Sequence, residues 1–219
     1  MTTRPVLSVM VRWPGAGRCK RRLGRDLDRT LALPKANERA ARIQRRLCNH
    51  TLAVARELQT SGTIRLCLAV SGLGPRCARR WGQALGADTT RLQGGGSLGS
   101  RLSRQIIQTR RRHRTANQLM IGTDLPALSC HDLLDAMATL EHNDVVLGPA
   151  ADGGYWLIGL SANLLNQPEC WPFSGIPWGG SSVLESTLQL CHQAQLKTGL
   201  LQLRDDIDNL RDLQPWLSL

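Results

Sequence analysis

The feature that most restricts how this 219-residue chain can fold is an alternation of short apolar runs with longer amphipathic stretches. Val6–Val11 (VLSVMV) reads as a buried strand, bounded by Pro5 and by the turn Trp13-Pro14-Gly15. Asn37–Gln59 reads as a long helix, because Ala40, Ile43, Leu47, Leu52, Val54 and Ala55 recur at helical spacing. The same logic predicts strands at Ile64–Val70, Leu119–Ile121, Asp144–Leu147, Tyr155–Leu160 and Leu200–Leu203. Further helices are expected at Pro75–Leu85, Leu98–Arg112, from a Ser129 cap to Leu140, Ser181–Gln195 and Leu210–Leu217. The run Gly94-Gly95-Gly96 forms a loop, and no internal repeat or linker divides the chain. Strands alternating with helices imply an α/β fold in three layers, α/β/α, with a mostly parallel sheet and a single domain over 1–219. Ligands of such sheets sit beyond the carboxyl ends of the strands, so the residues that follow each strand carry the functional argument.

Charge is unevenly distributed. The net charge is +11, yet residues 1–114 hold 25 of the 28 Lys and Arg and only 5 of the 17 Asp and Glu. The front part therefore carries +20 and residues 115–219 carry −9. A basic half facing an acidic half suits a site where phosphates meet one wall and a divalent cation the other. A nucleic-acid-binding module would interleave stacking aromatics with its arginines, but residues 1–114 contain only Trp13 and Trp81. That scarcity disfavours RNA as the partner. No apolar run approaches the ~20 residues that span a bilayer, and the N-terminal apolar run is too short for a signal peptide. The seven Cys residues are odd in number and form no CxxC pair, which argues against a disulfide framework and a thiolate zinc site. A cytoplasmic protein is expected.

Four segments after strands carry chemistry. Arg12–Leu23 (RWPGAGRCKRRL) joins glycines, whose backbone lets a ligand approach, to five cations suited to phosphate. It is neither a Walker A loop nor a Rossmann fingerprint, and a solvated turn or an RNA contact is the competing reading. GTDLP, Gly122–Pro126, places Asp124 at the end of an apolar strand, where a carboxylate can hold a divalent cation bridging phosphates. The competing role, capping the next helix, is better filled by Ser129. Asp152-Gly153-Gly154 reads as a hairpin turn, or as bare backbone facing a sugar, with Tyr155 or Trp156 as a wall. In RDDIDNLRDL, Asp205, Asp206 and Asp208 crowd together; either a cation relieves their repulsion or they form a solvated acidic loop.

Taken in order, these segments resemble a bacterial family of GT-A-like transferases. Its members are labelled radical-SAM- or selenodomain-associated transferases, or arsenosugar-biosynthesis glycosyltransferases. The family pattern runs approximately KxPxxGxxKTRL, QxxxxLGxR, GTDxPxL, GPxxDGGYxLIGL and DIDxxxDL. Here RWPGAGRCKRRL, QGGGSLGSR, GTDLPAL, GPAADGGYWLIGL and DIDNLRDL stand in those places. The resemblance implies a nucleotide-diphospho-sugar transferase fold using Mg²⁺ or Mn²⁺, with a nucleotide or nucleotide-sugar and a small-molecule acceptor as partners. It implies that Arg12, Gly15, Gly17, Lys20, Arg22 and Arg101 bind the nucleotide, and that Asp124 and Asp208 ligate the metal. It further implies that Gly153, Gly154 and Tyr155 line the sugar or acceptor pocket, and that Asp152 is the catalytic base. Three positions depart from the pattern: Arg12 stands for Lys, Arg21 for Thr, and Trp178-Gly179-Gly180 for Trp-Ser/Gly-Thr. The expected activity is glycosyl transfer, with nucleotidyl transfer from an NTP to a phosphorylated acceptor as the alternative on the same fold.

Overall fold

The computed structural model describes residues 3–216. The chain runs through β1 (Val6–Arg12), α1 (Arg21–Arg29), α2 (Ala36–Thr60), β2 (Arg65–Ser71), α3 (Pro75–Ala84) and β3 (Thr89–Leu92). It continues through α4 (Leu98–Arg110), β4 (Gln118–Ile121), α5 (Cys130–Leu140), β5 (Val145–Pro149) and β6 (Tyr155–Leu160). The remainder comprises α6 (Ala162–Leu165), α7 (Val183–Gln193), β7 (Thr198–Leu200) and short 3₁₀ turns at Pro168–Cys170 and Arg211–Trp216. The seven strands form one sheet in the order β3-β2-β1-β4-β6-β5-β7. Every neighbouring pair is parallel except those made by β6, which lies antiparallel between β4 and β5. The sheet is therefore mixed and mostly parallel, as the alternation implied.

Helices cover both faces. Cys48, Leu52, Ala55 and Leu58 of α2, with Leu133, Ala136 and Leu140 of α5, pack on Leu7, Val9, Leu66, Leu68 and Leu119. On the opposite face Leu102 and Ile106 of α4 and Cys191 of α7 meet Met120, Leu147, Ile158 and Leu160. The central strands are apolar on both sides because both sides are roofed. A third cluster joins Leu23 and Leu27 of α1 to Ala40 and Leu47 of α2 and to Ile207 and Leu213 near the C-terminus.

Two features place the site. β1 leads to β2 and β3 on one flank, and the chain then returns to add β4 on the other flank of β1. A sheet that reverses in this way opens a crevice between the carboxyl ends of the two flanking strands. The loops following β1 and β4 border that crevice, and they carry the basic segment and Asp124. The other feature is the 150–154 turn joining β5 to β6, where Gly153 has φ +88°. Its missing Cβ would stand 1.9 Å from Ser181 O, and its own carbonyl accepts the Leu184 N–H at the start of α7. Glycine here is a packing requirement that docks α7 on the hairpin.

Three expectations are corrected. Helix α1 and strand β3 lie where the sequence predicted no element, and the last strand is Thr198–Leu200 rather than Leu200–Leu203. The terminal helix is a 3₁₀ turn, and Leu217 of the predicted span lies outside the described residues.

Candidate functional site

The basic loop is held at both ends. Trp13 N–H donates to Ser71 O, and its ring meets Trp81 of α3 edge-on at 4.9 Å between centroids. At the far end Lys20 starts α1 in the left-handed region, φ 45°, a conformation unusual outside glycine. Its side chain is almost wholly buried. The Lys20 ammonium lies 2.8 Å from Asp124 Oδ1 and 3.7 Å from Asp208 Oδ1, and it donates to Ile207 O. Arg22 Nη1 pairs with Asp208 Oδ2 at 3.0 Å.

The acidic wall is positioned by its own backbone. Ile207 N–H donates to Asp124 O at 2.9 Å, while the Ile207 side chain is buried beside Leu23 and Leu27. Burial of that one apolar residue sets its neighbours Asp206 and Asp208 at the crevice. Asp212 accepts the Asp208 and Asn209 N–H groups and fixes the turn. Beneath Asp124, the buried Gln44 of α2 donates to Thr123 Oγ1 at 2.9 Å.

Two cavities meet at Gly122 and Asp124. The first, about 290 Å³, is lined by Arg12, Arg18, Lys20, Arg21 and Arg22 together with Gln44, Thr123, Asp124 and Asp208. The second, about 200 Å³, is walled by Leu98, Leu125, Leu128, Tyr155, Trp156, Trp178 and Val183, with Asp124, Asp152 and Asp206 as its ionisable groups besides the tyrosine. Burial, together with the Asp152 and Asp124 carboxylates, pushes the Asp206 carboxyl up to about 6, against an opposing pull from Lys20. The indoles are held in place. Trp156 Nε1–H donates to Gln202 O, and Gly148 leaves room for its ring. Trp178 lies against Gly99, where a Cβ would stand 2.8 Å from the ring, and against the Tyr155 edge at 6.4 Å.

The expected residues are distributed as follows. Arg12, Lys20, Arg22, Asp124 and Asp208 converge on the first cavity. Asp152, Gly154 and Tyr155 line the second. Tyr155 contributes its ring, because its hydroxyl is buried near Thr187 without a hydrogen-bond partner, and burial raises its pKa. Gly17 opens on a neighbouring hollow with Gly24, Lys35 and Asn37, and the Gly15 carbonyl accepts the Arg18 N–H. Arg101 lines neither cavity; its Nε–H donates to Gly96 O at 3.1 Å and pins the triglycine loop. Gly153 packs under Ser181 and does not line the pocket. Asp206 and Arg18, read from the sequence only as members of the carboxylate trio and of the basic loop, also line the cavities, while Gln44 and the apolar walls Leu98, Leu125, Leu128 and Val183 were not singled out. The Asp-Ile-Asp spacing was the available signal, since a buried Ile between two carboxylates presents both at the surface.

A divalent cation suits these donors. Asp124 Oδ1 is buried and accepts no well-directed hydrogen bond, and carboxylate oxygens are hard ligands of the kind Mg²⁺ and Mn²⁺ take. Among the described residues no group of three or more His, Cys, Asp and Glu is arranged to hold a metal. An ion here would complete its shell with phosphate oxygens and water, as Mg²⁺ does at nucleotide sites.

A family model described as "Uncharacterized protein conserved in bacteria (DUF2064)" matches residues 51–180. Among solved structures, one from Desulfovibrio desulfuricans G20 assigned as a nucleotide-diphospho-sugar transferase is 25% identical, with TM-score 0.78. That match covers 96% of this chain and 85% of the other. The 4-diphosphocytidyl-2C-methyl-D-erythritol synthase of Anaerococcus prevotii DSM 20548 is 10% identical, with TM-score 0.62 over 99% of this chain and 100% of that one. Rv0371c of Mycobacterium tuberculosis H37Rv, in complex with manganese, is 17% identical, with TM-score 0.51 over 98% of each chain. A comparison with curated protein sequences finds no match. The architecture is that of the nucleotide-diphospho-sugar transferase neighbours. No described helix is long and apolar enough to cross a membrane.

Proposed function

This chain belongs to the DUF2064 family, and we propose that it is a cytoplasmic, metal-dependent glycosyltransferase moving a sugar from a nucleotide-sugar to a small-molecule acceptor. The observation that carries the reading is the junction of a cationic and an acidic-aromatic cavity at Asp124. In this reading Arg12, Lys20 and Arg22, helped by the Gly15 and Gly17 turn, hold the diphosphate, and Arg101 contributes only by supporting the triglycine loop through the Gly96 carbonyl. Asp124 and Asp208 hold Mg²⁺ or Mn²⁺. The bound ion supplies Lewis-acid neutralisation of the departing diphosphate.

Asp152 is the general base. Its Oδ1 accepts the Gly154 N–H at 2.8 Å, which orients the carboxylate on the pocket rim. It takes the proton of an acceptor hydroxyl, whose oxygen bonds the anomeric carbon. The sugar–phosphate bond breaks and its electron pair leaves with the nucleoside diphosphate. Lys20 and Arg22 stabilise that charge as it develops, each such donor contributing a few kcal/mol. Gly153, Gly154 and Tyr155 shape the acceptor side, and the basic 1–114 and acidic 115–219 halves act as one domain. The radical-SAM and arsenosugar labels of the resembling family bear on the acceptor within this proposal.

Nucleotidyl transfer is the second reading, favoured by the fold shared with a diphosphocytidyl-product synthase. A product assay separates the two. Nucleoside diphosphate released from a nucleotide-sugar supports the first, and pyrophosphate released from an NTP supports the second.

A further inference from the structure

We infer that the acceptor held in the aromatic cavity carries no phosphate or carboxylate: it is a neutral or cationic molecule with an apolar face that lies on Trp156 and Trp178. The inference rests on the reading of the adjoining cleft as the nucleotide site and specifies what that site's acceptor must be.

The two cavities divide charge sharply. Five cationic side chains line the cleft beside Asp208, whereas among the described residues no Lys, Arg or His lines the aromatic cavity. Its ionisable groups besides Tyr155 are Asp124, Asp152 and Asp206. Asp124 is engaged by Lys20 from the cleft side, and neither Asp152 nor Asp206 has an ion-pair partner among the described residues. An anionic acceptor would bring like charge to Asp152 on the exposed rim and to the more sheltered Asp206, and no cationic side chain of the cavity would offset the repulsion. The walls select in the same direction. Trp156 and Trp178 are fixed indoles, and fixed aromatic faces bind apolar ring faces and attract cations. A molecule with one apolar face and hydroxyl or amine groups on the other satisfies both surfaces.

The test uses three probes with the same ring and different charge: benzyl alcohol, benzylamine and phenyl phosphate. The full chain is labelled with ¹⁵N, and the indole resonances are assigned with Trp156→Phe and Trp178→Phe. Titrations are run with Mn²⁺ and pyrophosphate present, so that phenyl phosphate is not drawn into the basic cleft. Saturable shifts of both indoles with benzyl alcohol and benzylamine, and affinity for phenyl phosphate at least tenfold lower, are the expected result. Leu98→Lys, at a half-exposed wall position, should narrow that gap by adding a cation. Phenyl phosphate binding as tightly as the other two overturns the inference, and so does the absence of a saturable shift with all three. Calorimetry of Mn²⁺–pyrophosphate binding reports on the cleft separately. Its failure would overturn the nucleotide reading, while the probe selectivity still decides the acceptor's charge.

Discussion

Lys20 Nζ stands 2.8 Å from Asp124 Oδ1, at the crevice where the sheet reverses direction. The Lys20 side chain is 2% exposed and those of Asp124 and Asp208 are 44% and 43% exposed, so one buried cation holds two half-exposed carboxylates together. Lys20→Met removes that cation and leaves the carboxylates facing each other. Water screens them, so the loss should be about 1–2 kcal/mol rather than the ~3–5 kcal/mol of a fully buried pair. At this chain length that corresponds to a fall in Tm of about 2–8 °C, with Mn²⁺ restoring part of it. Thermal unfolding with and without Mn²⁺ reads the effect; an unchanged Tm would show that the bridge contributes nothing.

Asp124→Asn takes the nearer partner from the buried Lys20 ammonium and leaves it only Asp208 at 3.7 Å, so it should cost about 1–2 kcal/mol and lower Tm by about 2–8 °C. Nucleoside diphosphate binding in Mn²⁺ should weaken by about tenfold or more, the order expected when a metal's protein ligand is lost. Isothermal calorimetry measures this directly. Equal affinity in the variant would remove Asp124 from the metal site.

Ile207→Ala tests the anchor between the two carboxylates. Deleting a buried isoleucine costs about 2–5 kcal/mol in chemical denaturation, and here it should also weaken Mn²⁺–nucleotide binding. The two losses should appear together, since Asp206 and Asp208 are placed by the packing of Ile207 on Leu23 and Leu27. Full nucleotide affinity in a folded but destabilised variant would separate the packing from the site.

Gly153→Ala meets both a left-handed backbone and the Ser181 carbonyl, which cannot yield as a side chain tip can. We expect a loss of about 2 kcal/mol or more. Gly95→Ala is the control, with open space around it and no left-handed φ, and it should change stability by less than about 0.5 kcal/mol.

Asp132 predicts the acid limit of stability. Burial pushes its carboxyl up, but hydrogen bonds from Arg204 and Ser129 outweigh burial and leave the pKa below its ordinary value. Arg204 Nη2 lies 2.5 Å from Asp132 Oδ1, and Ser129 Oγ and N donate to Oδ2 in a capping box. A carboxyl whose folded pKa is depressed stabilises above its unfolded value and loses that contribution as pH falls through the folded one. Stability should therefore drop below about pH 4. Asp132→Asn should flatten that limb at a cost of about 3 kcal/mol near neutrality. Urea titrations across pH 3–7 give both numbers, and an unaltered acid limb would acquit this pair.

Much of the architecture was legible because it rests on local periodicity. Residues 6–11 and 155–160 are mostly apolar runs, and Ser129 with Asp132 forms a capping box. Helix α1 escaped notice because Arg21, Arg22, Arg25, Asp26, Asp28 and Arg29 crowd its nine residues around only Leu23 and Leu27. Strand β3 is a half-buried edge strand, TTRL, whose pattern carries little hydrophobic signal. Arg101 matched a motif, yet its guanidinium satisfies a loop carbonyl, an outcome no spacing rule anticipates.

Sequence alone determined the rhythm of strands and helices, and with it the layered sheet and the position of Asp124 and the basic loop beyond strand ends, because side-chain period and turn chemistry act over a few neighbouring residues. Only the tertiary structure decided that Lys20 bridges Asp124 and Asp208, and that the cations and the unpaired carboxylates line separate cavities. Those relationships depend on β1 and β4 lying side by side and on Ile207 being buried against α1, contacts between distant residues that burial of apolar surface selects and local pattern does not encode.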